Sequence, residues 1–265
     1  MRKYIVTKLD SDTFCIEQKF SSFRCLCYLL LGKDRALLVD TAIYDDGFEK
    51  AIKDLCSLPL DVAITHAHMD HIGNAHCFKD VHMSERDREV FRLHTDRAYL
   101  ESMLDMTPMP ARLIAKFIAR PIFNTHPEVK TIGFQDGTVF DLGGRTVEVI
   151  ETPGHSTGSV CFLEKGRSRL YSGDMVCDMG ILLHLEGCES VTTFLESIRK
   201  LQALKGSFSE ICTGHRQSRI DVGYLDEYEE CAAGIISGKI AGKPQGKAKV
   251  GTHGRVSITY VDGRI

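Results

Sequence analysis

The sequence predicts an α/β fold of stacked sheets and helices, and three observations carry that prediction. A run of short strands opens the chain, a strand-helix-strand unit follows, and the same order of β then α returns in the second half. The repetition points to an internally duplicated, layered architecture. Residues 4–9, 13–18, 26–31 and 36–40 read as successive strands of a meander, the last two joined by the turn Gly32-Lys33-Asp34-Arg35. Residues 45–56 then place Phe48, Ile52 and Leu55 at helical spacing, and Pro59 precedes a short apolar strand over 62–65.

From Ser84 the pattern turns helical to about Ala119, with Ser84 as a cap, Asp87 three residues on, and a break at Thr107-Pro108-Met109-Pro110. Leu113, Ile114, Phe117 and Ile118 form one apolar face. The stretch of about 84–130 therefore reads as a helical insertion, either packed on the body or acting as a lid. After Pro127 strands return over 138–142, 146–151, 159–163 and 169–172. A helix over 191–204, a strand over 210–213 and a helix over 224–236 complete the second half. The tail over 238–255 is rich in Gly and Lys. It reads as a solvated loop, with Lys239, Lys243, Lys247 and Lys249 as the one local basic cluster that a phosphate-bearing substrate would use.

The 265 residues fit one α/β domain over 1–265 that includes the insertion. At 43% apolar and 26% charged the chain has ample core, which excludes a disordered or coiled-coil class. The 33 Lys and Arg against 36 Asp and Glu give a net charge of −3, so nothing global favours nucleic acid or a membrane surface. The opening MRKYIVTKLDSD reaches charged residues before an apolar core can form. Together with ten cysteines that include Cys25-x-Cys27 but no Cys-x-x-Cys, this predicts a cytoplasmic protein whose thiols are core residues.

One segment stands apart. Thr65-His66-Ala67-His68-Met69-Asp70-His71 places four metal-capable side chains in six residues, directly after a predicted strand. Imidazole and carboxylate are donors that suit zinc and iron, whereas magnesium or calcium would call for mostly oxygen. On an extended segment His66 and His68 can converge on one ion, and after a turn Asp70 and His71 can address another. Three further candidates also follow predicted strands: His155 in Thr152-Pro153-Gly154-His155-Ser156-Thr157-Gly158, Asp174 in Ser172-Gly173-Asp174, and His215 in Thr213-Gly214-His215.

With these motifs in this order, from Val39-Asp40-Thr41 to His215, the sequence resembles the metallo-β-lactamase superfamily. The resemblance implies an αββα sandwich of two mixed sheets flanked by helices, with metals at one edge between the sheets. It implies that His66, His68 and His155 bind a first metal, that Asp70, His71 and His215 bind a second, and that Asp174 bridges the two. Asp40 would support the histidine loop from behind, where the plainer alternative is an acid in a strand-end turn. Antibiotic-hydrolysing members lack the bridging aspartate that this chain has at Asp174. Diiron oxygen-reducing members carry glutamate at the position of His68 and a flavin domain that is absent here. The C-terminal glutathione-binding pattern of glyoxalase II is also missing, and Cys177 stands where lactonase-like relatives have tyrosine.

The function expected from this set is hydrolysis of a small ester, lactone or thioester by a hydroxide bridging two divalent ions. Zinc is expected, with iron or manganese as alternatives, and Asp70 doubles as a proton carrier. His184, in the segment after Asp174, is a candidate substrate contact. The alternatives are a phosphodiesterase or nuclease on the same site, and a sulfur dioxygenase with a single iron.

Overall fold

The structure is a computed structural model that describes residues 4–20, 23–103 and 128–265. Its first sheet has seven strands in sequence order: β1 (Tyr4–Asp10), β2 (Thr13–Phe20), β3 (Phe23–Leu31), β4 (Ala36–Val39), β5 (Leu60–Ala63), β6 (Val81–Ser84) and β7 (Thr131–Phe134). Strands β1 to β4 pair antiparallel in turn. Longer crossovers make β4 to β7 parallel, as chain reversal over a helix requires. These crossovers carry helices α1 (Phe48–Lys53), α2 (Met69–Ile72), α3 (Arg88–His94) and α4 (Arg97–Met103).

The second sheet is built from β8 (Val139–Asp141), β9 (Thr146–Glu151), β10 (Val160–Glu164), β11 (Arg169–Gly173), β13 (Glu210–Thr213) and β14 (Ile220–Asp221), in the order β14-β13-β11-β10-β9-β8. Only β11 and β13 run parallel, and α5 (Val191–Ala203) lies in the crossover between them. Helix α6 (Gly223–Ile236) follows.

Three apolar clusters define the layers. Leu26, Leu37, Val39, Phe140, Val149, Phe162 and Tyr171 fill the space between the two sheets. On the outer face of the first sheet, Leu29, Leu38 and Ile64 pack under Phe48 and Ile52 of α1. Outside the second sheet, Leu163, Leu170 and Ile211 pack under Phe194 and Ile198 of α5 and Tyr228 of α6. The result is the expected αββα sandwich. Arg145 ties the layers together, donating to Glu164 Oε1 (2.6 Å) and to the Asp12 and Leu31 carbonyls, so this buried ion pair is also fully hydrogen-bonded.

The structure departs from the expected elements in the tail. There a third sheet forms, in the order β12-β17-β16-β15, from β12 (Ile181–Leu182), β15 (Lys243–Gln245), β16 (Ala248–His253) and β17 (Val256–Tyr260). Gly and Lys mask it in the composition, but Val256, Ile258 and Tyr260 alternate inward and are buried against the α5–α6 cluster. Lys243 and Lys249 therefore lie in strands and Lys239 and Lys247 in a bend and a turn beside them, and Lys249 pairs with Asp262 at 2.8 Å. Strand β6 also precedes the expected insertion. The break at Thr107-Pro108-Met109-Pro110 and the face of Leu113, Ile114, Phe117 and Ile118 lie outside the described residues. Among the described residues no helix is long and apolar enough to cross a membrane.

Candidate metal centre

The expected donors come from four loops, each following the C-terminal end of a strand: β5 for His66 to His71, β9 for His155, β11 for Asp174 and β13 for His215. The histidine loop turns as its chemistry needs. His68 is extended (φ −73°, ψ 151°) and starts α2, whose first turn carries Asp70 and His71. Gly214 allows the last loop to close in, because a Cβ there would stand 2.6 Å from Asp174 Oδ1 and 2.8 Å from a His71 ring carbon.

All seven expected donors converge. His66, His68 and His155 offer atoms within 4.8 Å of one another, as do His66, His71 and Asp174. His215 Nε2 stands 3.1 Å from Asp174 Oδ1 and 3.4 Å from Asp70 Oδ2, and His71 Nε2 stands 3.4 Å from Asp174 Oδ1.

The ring tautomers follow from the partners on the far side. His71 Nδ1 donates to Asp40 Oδ2 (2.8 Å), His155 Nδ1 to the Leu182 carbonyl (3.0 Å) and His215 Nδ1 to the Arg24 carbonyl (2.6 Å). Thr65 Oγ1 donates to Asp40 Oδ2 (2.8 Å), so its lone pair accepts from His66 Nδ1 (3.1 Å). Four rings thus turn Nε2 inward, as metal-binding imidazoles do. His68 is held instead by stacking on His94, with ring centroids 4.5 Å apart. Among the described residues, Nε2 of His66, His68, His71 and His155 and Oδ1 of Asp174 are buried without a hydrogen-bond partner. Buried polar atoms are rarely left so, and a shared cation is the ligand that such a set of nitrogen and oxygen atoms fits.

Asp40 sits at the hinge of this network. Its φ of +63° lies in the left-handed region, which Asp tolerates better than most residues, and its Oδ1 accepts from Thr65 N–H (2.8 Å). From the turn at the end of β4 this carboxylate holds both Thr65 and His71.

Electrostatics divides the cluster. Burial pushes the His66, His68 and His155 imidazoles below their ordinary value, and neighbouring imidazoles push the first two further. Burial acts the same way on His71 and His215, but nearby carboxylates outweigh it. Asp40, Asp174 and Asp70 hold His71 up at about 10, and Asp174 and Asp70 hold His215 well above its usual range. Asp70 and Asp174 stay ionised despite burial, because His71 and His215 face them.

Asp87 and Cys25 near the site take places other than those the sequence suggests, and His94 joins them with no sequence signal of its own. Asp87, placed as a helix-capping partner of Ser84, instead turns inward to Ala67, Ser156 and Gly158, and Ser84 Oγ accepts from Arg86 N–H. Cys25, read as plain core, is buried and has its Sγ within 4.8 Å of donor atoms of Asp70 and His215. His94 accepts from Met69 N–H (3.2 Å), and burial pushes it down to about 4. Their signals are tertiary, since none sits in a donor motif. His184 lies after β12 with Nδ1 buried and unpartnered among the described residues, outside the seven-residue cluster.

The sheet order, the layers and the strand-end histidines and aspartates together define an αββα sandwich with a cluster at its strand ends that could hold a metal. Residues 22–215 match the model of the metallo-beta-lactamase superfamily, and the chain belongs to that family. It is 27% identical over 232 residues to the acyl-coenzyme A thioesterase MBLAC2 of Homo sapiens, an alignment covering 80% of this chain and 81% of that protein. A shorter stretch of 86 residues is 36% identical to an atrochrysone carboxyl ACP thioesterase of Aspergillus fumigatus, covering 32% of this chain and 26% of that protein. The fold is similar to that of a metallo-beta-lactamase from Pontibacter korlensis, with a TM-score of 0.62 and 17% identity over 87% of this chain and 99% of the other.

Proposed function

We propose that this metallo-beta-lactamase-fold hydrolase cleaves thioesters with two divalent cations, zinc foremost. His66, His68 and His155 would hold one ion, Asp70, His71 and His215 the other, and Asp174 would lie between them. The observation that carries this reading is the ring of inward, buried donor atoms without hydrogen-bond partners. The all-nitrogen and oxygen donor set suits zinc and also accepts iron or manganese. When bound, such a pair supplies Lewis acidity toward a substrate oxygen and lowers the pKa of water to about 7.

The chain's own residues do the rest. The four outward Nδ1–H bonds fix the rings, so that the donor atoms are already arranged before substrate arrives. Asp70 is the most exposed carboxylate of the set at 19%, and it is the group proposed to take up the proton released by the attacking water and pass it to the leaving sulfur. A thiol with an ordinary pKa of about 8.5 leaves readily as thiolate, so this help need only be slight. His184 is proposed to contact the acyl group.

Two relatives named as thioesterases, one acting on acyl-coenzyme A and one on an acyl carrier protein, favour the thioester among the possible esters. The test is a panel of acyl-coenzyme A, oxygen ester, lactone and phosphodiester substrates. The expected result is thiol release that chelation abolishes and zinc restores. Faster phosphodiester cleavage, or no thiol release at any acyl length, would overturn the reading.

A further inference from the structure

The loops that bring His66 and His68 to His155 belong to different sheets, and one buried side chain spans them. Asp87 is 1% exposed and stands in the 3-10 turn after β6. Its Oδ2 accepts from Ala67 N–H (2.8 Å), the residue between His66 and His68. The same oxygen accepts from Ser156 Oγ (2.8 Å), the residue after His155, and Oδ1 accepts from Gly158 N–H (2.6 Å). Gly158 permits this approach, since a Cβ there would stand 2.6 Å from Asp87 N. No Lys or Arg pairs with Asp87 among the described residues, so these three donors are what stabilise a buried carboxylate.

We infer that Asp87 is a positioning residue for the His66, His68 and His155 half of the site, fixing the distance between the two loops that carry those imidazoles. This rests on the metal-binding reading above. Asp40 is differently placed, because it bonds to Thr65 and directly to His71, and so reaches both halves. Among the described residues Asp87 makes no bond to His71, whose ring Asp40 holds, nor to the loops of Asp174 and His215. Its loss should therefore loosen one half and spare the other. Substitutions of residues that orient metal ligands typically lower metal affinity about 10–100-fold.

The experiment titrates chelator-treated full-length protein with zinc and follows imidazole nitrogen signals by NMR, which separates the two halves. In Asp87→Ala, His66, His68 and His155 should respond only at about 10–100-fold higher zinc than in the wild type. His71 and His215 should respond at wild-type concentrations. Ser156→Ala keeps the carboxylate and removes one donor, so the same three rings should shift by less, under about tenfold. A folded Asp87→Ala protein that takes zinc on those three rings as the wild type does, or in which all five weaken alike, overturns the inference. If Asp87→Ala does not fold, Ser156→Ala decides it by the same split. Should the wild type take up one ion only, the two-ion reading fails by itself, and Asp87 is still judged at His66, His68 and His155.

Discussion

The two halves of the histidine cluster use the same side chain and behave oppositely. His66, His68 and His155 lie together in a buried space, and burial keeps them neutral. His71 and His215 are as deeply buried, yet three carboxylates keep them charged in the metal-free protein. The difference teaches that the carboxylates, not the imidazoles, set the charge of each half. One half is ready to accept a cation as it stands, while the other must first release protons.

Removing the shared carboxylate should break this contrast most severely. Asp174→Ala takes away the group that faces His71, His155 and His215, and turnover should fall by at least about 100-fold, with far-UV circular dichroism unchanged. Asp70→Ala should do the same. Retained activity in both variants would sink the proposed site.

Proton release comes next in size. Zinc binding at pH 7 should expel protons from His71 and His215 and none from the other three rings, which calorimetry in buffers of different ionisation enthalpy measures. The second ion should accordingly bind more tightly as pH rises toward 10. Uptake without proton release would erase the distinction between the halves.

Stability of the metal-free protein should follow from the same shifts. Below pH 6.5 the unfolded chain binds protons at His66, His68, His94 and His155 that the folded protein refuses, so stability falls as pH falls. Above pH 6.5 the folded protein keeps protons on His71 and His215 that the unfolded chain has lost, so stability falls as pH rises toward 10. Urea unfolding across pH should therefore show a maximum near 6.5. A curve that rises steadily to pH 9 would contradict these shifts.

The smallest effect is expected at Thr65, which links Asp40 to His66. Thr65→Val removes one buried hydroxyl, and unfolding should cost about 1–2 kcal/mol less than in the wild type. Zinc affinity should drop by about tenfold or less, chiefly at His66.

The donor set was legible because its motifs are local. His66, His68, Asp70 and His71 crowd one loop, and each remaining donor follows a strand, so periodicity and residue type were enough. Asp87 was not legible for a physical reason: its spacing from Ser84 satisfies a local capping rule, and only the packed fold offers it Ala67, Ser156 and Gly158 instead. Cys25 reads as one more apolar strand residue until β3 is laid beside the His215 loop, where Leu26 N–H bonds to the Gly214 carbonyl. The third sheet was hidden by glycines and lysines on its exposed strands, although Val256, Ile258 and Tyr260 carry the alternation of a buried face.

The most direct test of the central claim is the metal content of folded protein, purified without added metal or chelator and quantified per chain alongside thiol release from an acyl-coenzyme A thioester. The account predicts two ions per chain, zinc foremost, with activity that rises and falls with their occupancy. A single iron per chain, or thioester cleavage that persists after complete metal removal, would contradict it.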